Sequence, residues 1–334
     1  MKCALSIKGG ATILAQWKHS PMAQPFCAKK QLPRRLTLDI SNPQPAEDIN
    51  TTKTHPLKEF FLLSGGILVV ITVVILALSF LADTLTQYIP FEVERSLVRT
   101  VNIDTPASDT GTVPDYLQSL ADNLSQHMDL PEDMTITVSV INSDTVNAFA
   151  TLGGNVVFFT GLLDAIPTEN TLAMVMAHEI AHIKLRHPLR ALGRGMVVGI
   201  AVATVAGVAG NDIVAKLIGD TSLLTTLNFS RDQESAADKL AVAALTKRYG
   251  HAGGSIQLFE LLNQQQGESR GKVPEFFTTH PLNQNRIAAI RKYAQQNNWS
   301  VEGDTTEIPK SVRDELNRLR QELLDKKDRQ KPAV

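Results

Sequence analysis

Hydrophobic positions along the 334-residue chain fall into three patterns. The first is a solid block. FFLLSGGILVVITVVILALSFLA, Phe60 to Ala82, runs 23 positions without a charge, and roughly 20 apolar residues cross bilayer hydrocarbon as a helix. The second pattern is helical: in DYLQSLADNLSQHM, Leu117, Leu120 and Leu124 share one face, which predicts a helix ending near a solvated cap at His127. The third alternates. MTITVSVINS predicts a half-buried strand, and VNAFATLGGNVVFFTGLL predicts two strands parted by a turn at Gly153 and Gly154.

The helical pattern returns in TENTLAMVMAHEIAHIKLRH. Capping residues at Thr168 to Asn170 predict its start, and Pro188 predicts a stop at His187, because proline cannot continue a hydrogen-bonded turn. Ser230 with Gln233 three positions on predicts a capping box opening another helix. IAAIRKYAQQ, beyond residue 288, continues as a helix. SVRDELNRLRQELLDKKDRQK carries a narrow stripe of Val312, Leu316, Leu319 and Leu323, expected to pack on its own domain. The fold class expected is α+β, mostly helical, with a small β-sheet.

Net charge is -1 and no basic stripe with interleaved aromatics is present, so no nucleic-acid partner is expected. The two cysteines, Cys3 and Cys27, lie near the N-terminus, far from other candidate ligands, which argues against a disulfide framework or a cysteine-bound metal. A cleavable signal peptide would begin the chain, whereas about 57 polar residues precede the apolar block; the block reads as a permanent anchor. Residues 1–57 hold eight Lys and Arg, against Arg95 and Arg99 in the twenty residues after Ala82. The charge bias predicts a cytoplasmic N-terminus and a domain on the outer side, which in a bacterium means a single-pass inner-membrane protein with a periplasmic domain. Both cysteines would then be reduced thiols. LPRRLTLDI is the only strand-like run of that leading segment, and His19 and His55 are simplest as solvated loop residues.

The chemistry centres on MAHEIAHIKLRH, residues 176 to 187, where two histidines and a glutamate interrupt an apolar run. Burying ionisable groups costs several kcal/mol unless something compensates. His178 and His182 are four apart, so their rings project from one helix face at successive turns, and two such rings can share one Zn2+. Glu179 lies about 100° around the axis, where it can reach a water activated by the metal and serve as its base. The rival reading is a helix with two surface histidines and a solvated glutamate, and the apolar neighbours Ile180, Ala181 and Ile183 disfavour it.

A catalytic zinc needs a third protein ligand and an open position. Pro188 stands where a third histidine six residues past His182 would be, and His187 is one residue early on another face, either supporting the site or exposed. In NFSRDQESAADKLA, Glu234 can supply a carboxylate oxygen, and Asp238, one turn on, can accept the spare N–H of a ligating histidine. An acid-rich first turn is also what the helix macrodipole favours in any helix.

HEIAH, SRDQESAAD and THPLNQNRI, preceded by NAFATLGG, together resemble the zinc metallopeptidase family of HtpX-like and CAAX-prenyl-protease-like enzymes over roughly residues 90 to 300. The resemblance implies a zincin-like domain with one Zn2+ per chain, held by His178, His182 and Glu234. It implies Glu179 as general base and Asp238 as a supporting carboxylate. Asn147, Ala148, Phe149 and Ala150 match the strand on which such enzymes dock extended substrate, by backbone pairing at a sheet edge. His280 and Arg286 match positions near the active site. For His280, oxyanion stabilisation, gating of the metal and a plain turn remain open.

The expected layout is a partly flexible segment 1–57, a transmembrane helix over 58–83 meeting lipid through 60–82, a juxtamembrane linker 84–113 entering a short helix, a metallopeptidase domain 114–300 and a charged helical tail 301–334. RGMVVGIAVATVAGVAG, residues 194–210, is short for a span, and one crossing there would part Glu234 from both histidines. A helix packed over the cleft or dipping into the lipid surface is expected. The function expected is a zinc-dependent endopeptidase acting on membrane or translocated polypeptides, with a quality-control role implied by the resemblance. A zinc-stabilised, non-catalytic chaperone or adaptor is the alternative.

Overall fold

The computed structural model describes residues 55–101, 110–205, 229–257, 259–260, 276–280 and 284–330. Cys3, Cys27, His19, the LPRRLTLDI run, residues 206–210 of the second apolar stretch and residues 281–283 of the THPLNQNRI motif lie outside the described residues.

Helix α1, Pro56–Leu85, carries the apolar block and buries none of its residues; it is long and apolar enough to cross a bilayer. A single 3-10 turn, Thr86–Tyr88, leads to α2, Phe91–Val101. This stretch, expected as linker and short helix, is tied into the body. Glu94 is buried, accepts the Gly153 amide at 2.7 Å and pairs with Arg186 at 3.1 Å. Burial pushes the Glu94 carboxyl above its ordinary range against the pull of Gly153 and Arg186.

Helix α3, Thr112–Gln126, buries Leu117, Leu120 and Leu124 as its spacing predicts. Strands β1 (Thr137–Ile141), β2 (Ala148–Ala150) and β3 (Asn155–Phe159) form one sheet in the order β1-β3-β2. β3 runs parallel to β1 and antiparallel to β2, with Phe149 opposite Val157, so β2 is an edge. The turn between β2 and β3 needs its glycines: Gly154 has φ +84° and a Cβ there would lie 2.0 Å from the Thr135 carbonyl oxygen. Short α4, Thr160–Ala165, leads to the central helix.

That helix, α5 (Glu169–Lys184), is buried on every side from Glu169 to Ile183, as expected for one apolar all round. Thr168 caps it, its side chain accepting the Thr171 amide. The predicted stop at His187 needs correction. The helix ends at Lys184, Arg186 turns the chain with φ 59°, and His187 opens α6, His187–Val205. Pro188 sits in the first turn of that helix, where its missing N–H costs nothing. A proline read as a terminator serves here as an initiator.

Helix α7, Arg231–Tyr249, opens with the predicted capping box of Ser230 and Gln233 and ends at Gly250 in the left-handed region. α8 (Phe276–Thr279), α9 (Gln284–Gln296) and α10 (Lys310–Gln330) follow. α10 belongs to the body: Val312 and Leu316 are buried, the Arg313 guanidinium donates to the carbonyls of Leu163, Ile166 and Pro167, and Glu315 accepts the Val113 amide.

One buried junction that sequence patterns do not announce fixes α5 against α3 and α7. The Glu169 carboxylate accepts Tyr116 at 2.8 Å, Tyr249 at 2.8 Å and Arg248 at 2.9 Å. Burial pushes Glu169 up, but those three donors outweigh it and hold the carboxyl below its usual range.

Candidate metal centre

Helix α5 supplies His178, Glu179 and His182, the first turns of α7 supply Glu234 and Asp238, the residue after α8 is His280, and α9 supplies Arg286. All seven are buried. His178 Nε2 lies 3.0 Å from His182 Nε2 and 3.4 Å from Glu234 Oε2, and His182 Nε2 lies 3.5 Å from Glu234 Oε1. His280 Nδ1 completes the set, 3.3 Å from His178 Nε2 and 3.1 Å from Glu234 Oε1.

These separations fit an ion. A tetrahedron with its centre about 2.1 Å from each vertex has edges of about 3.4 Å. One ligand atom from each of His178, His182, Glu234 and His280 lies within 4.8 Å of the others, and imidazole with carboxylate is a donor set suited to zinc. Charge agrees. Among the described residues the buried carboxylates Glu179, Glu234 and Asp238 outnumber the guanidinium of Arg286, an acidic excess that a divalent cation would offset.

The supporting contacts set the imidazole orientations. His178 Nδ1 faces Asp238 Oδ1 at 3.0 Å, so its N–H donates there and Nε2 turns to the centre. His182 Nδ1 lies 2.8 Å from His187 Nδ1. Burial, with Arg190 adding to it, pushes His187 down to about 3, so His187 is neutral and accepts the His182 N–H. The face of His182 stacks on Phe229 at 4.1 Å between ring centres, and His280 stacks on Phe276. Arg286 grips both oxygens of Asp238, at 2.9 and 2.7 Å, and lies 2.8 Å from Glu234 Oε2. It touches carboxylates of the centre and so acts through them as a positioning group.

Burial alone would lower His178, yet Asp238 and Glu234 outweigh it and hold the imidazole up at about 9. His182 is kept well below its ordinary value by burial and by the charge on His178. Burial pushes Glu234 up, but His280 and His178 pull it well below the usual range. The cluster therefore draws positive charge to its middle.

Glu179 behaves differently. Its side chain is fully buried and neither oxygen has a hydrogen-bond partner among the described residues. The His280 Nε2 atom stands 3.4 Å from Oε1, and the Ala150 amide faces the carboxylate without reaching hydrogen-bond geometry. Burial raises this carboxyl above its ordinary value, partly offset by His280 and His178. A fully buried carboxyl with an amide and an imidazole nitrogen facing it is an arrangement that calls for a chemical explanation.

Sequence reasoning had no signal for Phe229, which carries no pattern of its own, whereas Ala150 lies in the strand expected to dock substrate. The Ala150 contact places the edge strand. Phe159 donates to the Asn147 carbonyl and Thr151 to that of Asn155, so antiparallel alternation turns the backbone groups of Ala148 and Ala150 away from β3, toward the centre.

Residues 113–294, more than half of the chain, match the profile of peptidase family M48. The chain is 32% identical over 212 residues to the Escherichia coli protein named beta-barrel assembly-enhancing protease, covering 60% of this chain and 42% of that one. It is 32% identical over 171 residues to a Vibrio cholerae protein named putative beta-barrel assembly-enhancing protease, covering 48% and 35%. It is 31% identical over 164 residues to the Schizosaccharomyces pombe protein named mitochondrial metalloendopeptidase OMA1, covering 48% and 47%. The chain thus spans less than half the length of these relatives.

Proposed function

The chain belongs to peptidase family M48, a family of zinc metallopeptidases, and on that premise we propose that it is a membrane-anchored endopeptidase. The observation that carries the reading is the donor set of His178, His182 and Glu234 at tetrahedral spacing beside the fully buried carboxylate of Glu179. His178 Nε2, His182 Nε2 and a Glu234 oxygen would hold one Zn2+. When bound, zinc supplies the Lewis acidity that makes water a nucleophile at neutral pH. Glu179, its affinity for protons raised by burial, takes the proton of the attacking water and returns it to the departing amine nitrogen. Asp238 and Arg286 keep His178 and Glu234 aimed. The outward backbone groups of Ala148 and Ala150, within Asn147–Ala150, pair with an extended substrate at the β2 edge and lay its carbonyl beside Glu179.

His280 favours one refinement. Its Nδ1 takes the fourth donor position in this conformation, and all four donors are sealed from solvent. A ring at that position stands where a water or substrate oxygen would bind the metal, so its displacement is part of this reading. Exchanging His280 for alanine opens that position, so basal cleavage rises if gating is the whole role and falls if the ring also steadies the transition state.

The anchor is α1, and the eight basic residues ahead of it favour a cytoplasmic N-terminus with the catalytic domain outside. Substrates are membrane or translocated polypeptides, and the names of the relatives, an assembly-enhancing protease and a mitochondrial metalloendopeptidase, accord with a quality-control task. Metal analysis with a Glu179→Gln variant tests the proposal. One zinc per chain is expected in both proteins, with cleavage of an unfolded substrate falling about 10²- to 10⁴-fold in the variant. Equal turnover removes the mechanism. Zinc without cleavage in either protein, under all substrates tried, returns the adaptor reading.

A further inference from the structure

Helix α6 leaves the metal centre and runs back along the anchor. Arg186 donates to the Ile89 carbonyl, Arg190 to Thr86 Oγ1 at 3.3 Å, and Arg194 to both oxygens of Asp83 at 2.8 and 3.0 Å. Gly193 comes so close to α1 that a Cβ there would meet the Ala82 methyl at 3.5 Å. Rising numbers in α6 meet falling numbers in α1, so the two helices are antiparallel. The contact continues downward. Within the charge-free block of α1, the half-covered positions are Ile71, Ile75, Ser79 and Ala82, one stripe at helical spacing, while every other residue from Phe60 to Leu81 is exposed. Asp83 back to Ile71 and Arg194 on to Val205 are each about 16 to 18 Å of helix.

From Arg194 to Val205, where its described residues stop, α6 holds no further charged residue. Val198 is 46% exposed, Ile200 45%, Val202 62% and Val205 71%. Val198, Val202 and Val205 share one face and Ile200 points the opposite way. Water is a poor neighbour for so much aliphatic surface, and a protein partner would claim one face rather than opposite ones. Lipid chains serve all of them and already suit the continuous exposed surface of α1.

We propose that the second half of α6 lies in the bilayer beside α1, with Val205 about half way across the roughly 30 Å hydrocarbon and Arg186, Arg190 and Arg194 as its collar at headgroup level. The proposal rests on reading α1 as a membrane span. It also deepens the substrate class. His187, the first residue of α6, bonds His182, and two turns, about 10 Å, part it from Arg194. The metal centre is thereby pinned close above the membrane surface, within reach of extended juxtamembrane segments of membrane proteins.

Spin labels test the depth. The full-length chain, with Cys3 and Cys27 replaced by serine, is reconstituted in phosphatidylcholine–phosphatidylglycerol vesicles with single cysteines at Val73 in α1, at Val198, Val202 or Val205 in α6, or at the exposed Asp122. Collisions with lipid-soluble oxygen and with a water-soluble nickel chelate are then compared. The expected result is a stepwise loss of chelate access from Val198 to Val205, with Val205 matching Val73. Chelate access at Val202 and Val205 equal to that at Asp122, with Val73 shielded, overturns the proposal. So does a chelate-exposed Val73, which removes the span. Labels at lipid depth in a chain without zinc or cleavage leave α6 in the bilayer and instead sink the protease reading.

Discussion

Replacing Asp238 with asparagine perturbs the metal centre without deleting a ligand. Asp238 accepts from His178 Nδ1 at 3.0 Å and grips Arg286 through both oxygens. Asparagine keeps one carbonyl oxygen and brings an NH2 group, so either His178 loses its acceptor or a donor is forced against the guanidinium. The buried acidic excess also falls by one charge. The metal-free form is relieved of repulsion while the loaded form gains an uncompensated positive charge, so both shifts weaken zinc binding. Loss of a comparable supporting contact costs about 10- to 100-fold in metal affinity, and the charge effect puts this variant near the upper end, about 2 to 3 kcal/mol. Competition with a chromophoric chelator reads the affinity directly. The zinc-dependent gain in Tm should shrink by about 4 to 12 °C at fixed excess metal, for a domain of this size. An affinity within about twofold of the parent, with an undiminished thermal shift, would refute the reasoning that this carboxylate aims His178.

Two further outcomes concern the scaffold. Ser230→Ala removes the side chain that caps α7 just ahead of Glu234, and a loss of about 1 kcal/mol is expected in urea unfolding. Glu169 is held below its ordinary range by Tyr116, Tyr249 and Arg248 despite its burial. A depressed folded-state value means the contribution is present above the unfolded value and is lost as pH falls through the folded one. Stability followed by thermal denaturation should therefore decline below about pH 4.5, and Glu169→Gln should be less stable near neutrality with a flatter acid limb. An acid limb unchanged by that substitution would assign the decline to other carboxylates.

Much of the site was legible because its grammar is local. The four-residue spacing of His178 and His182 puts both rings on one face of any helix, whatever surrounds it. Ser230 and Gln233 close a box within a single turn, and Gly153 with Gly154 marks a turn because only glycine takes positive φ without strain. Pro188 misled for the same reason: its ring forbids continuation of a helix and equally suits a helix start, and position alone could not say which.

The sequence by itself determined the apolar anchor candidate, the helix that carries the histidines, the alternating strands and the residue types able to grip a cation. Only the tertiary structure decided that Arg286 clamps Asp238 and Glu234, that His280 stands at a fourth donor position, that Glu169 bolts three helices together and that α6 runs beside α1. Periodicity, capping and φ preference act within a turn or two of one element. The distances between Glu179, Glu234 and His280 are set by the packing of helices far apart in the chain, where each side chain's place depends on every volume and partner around it.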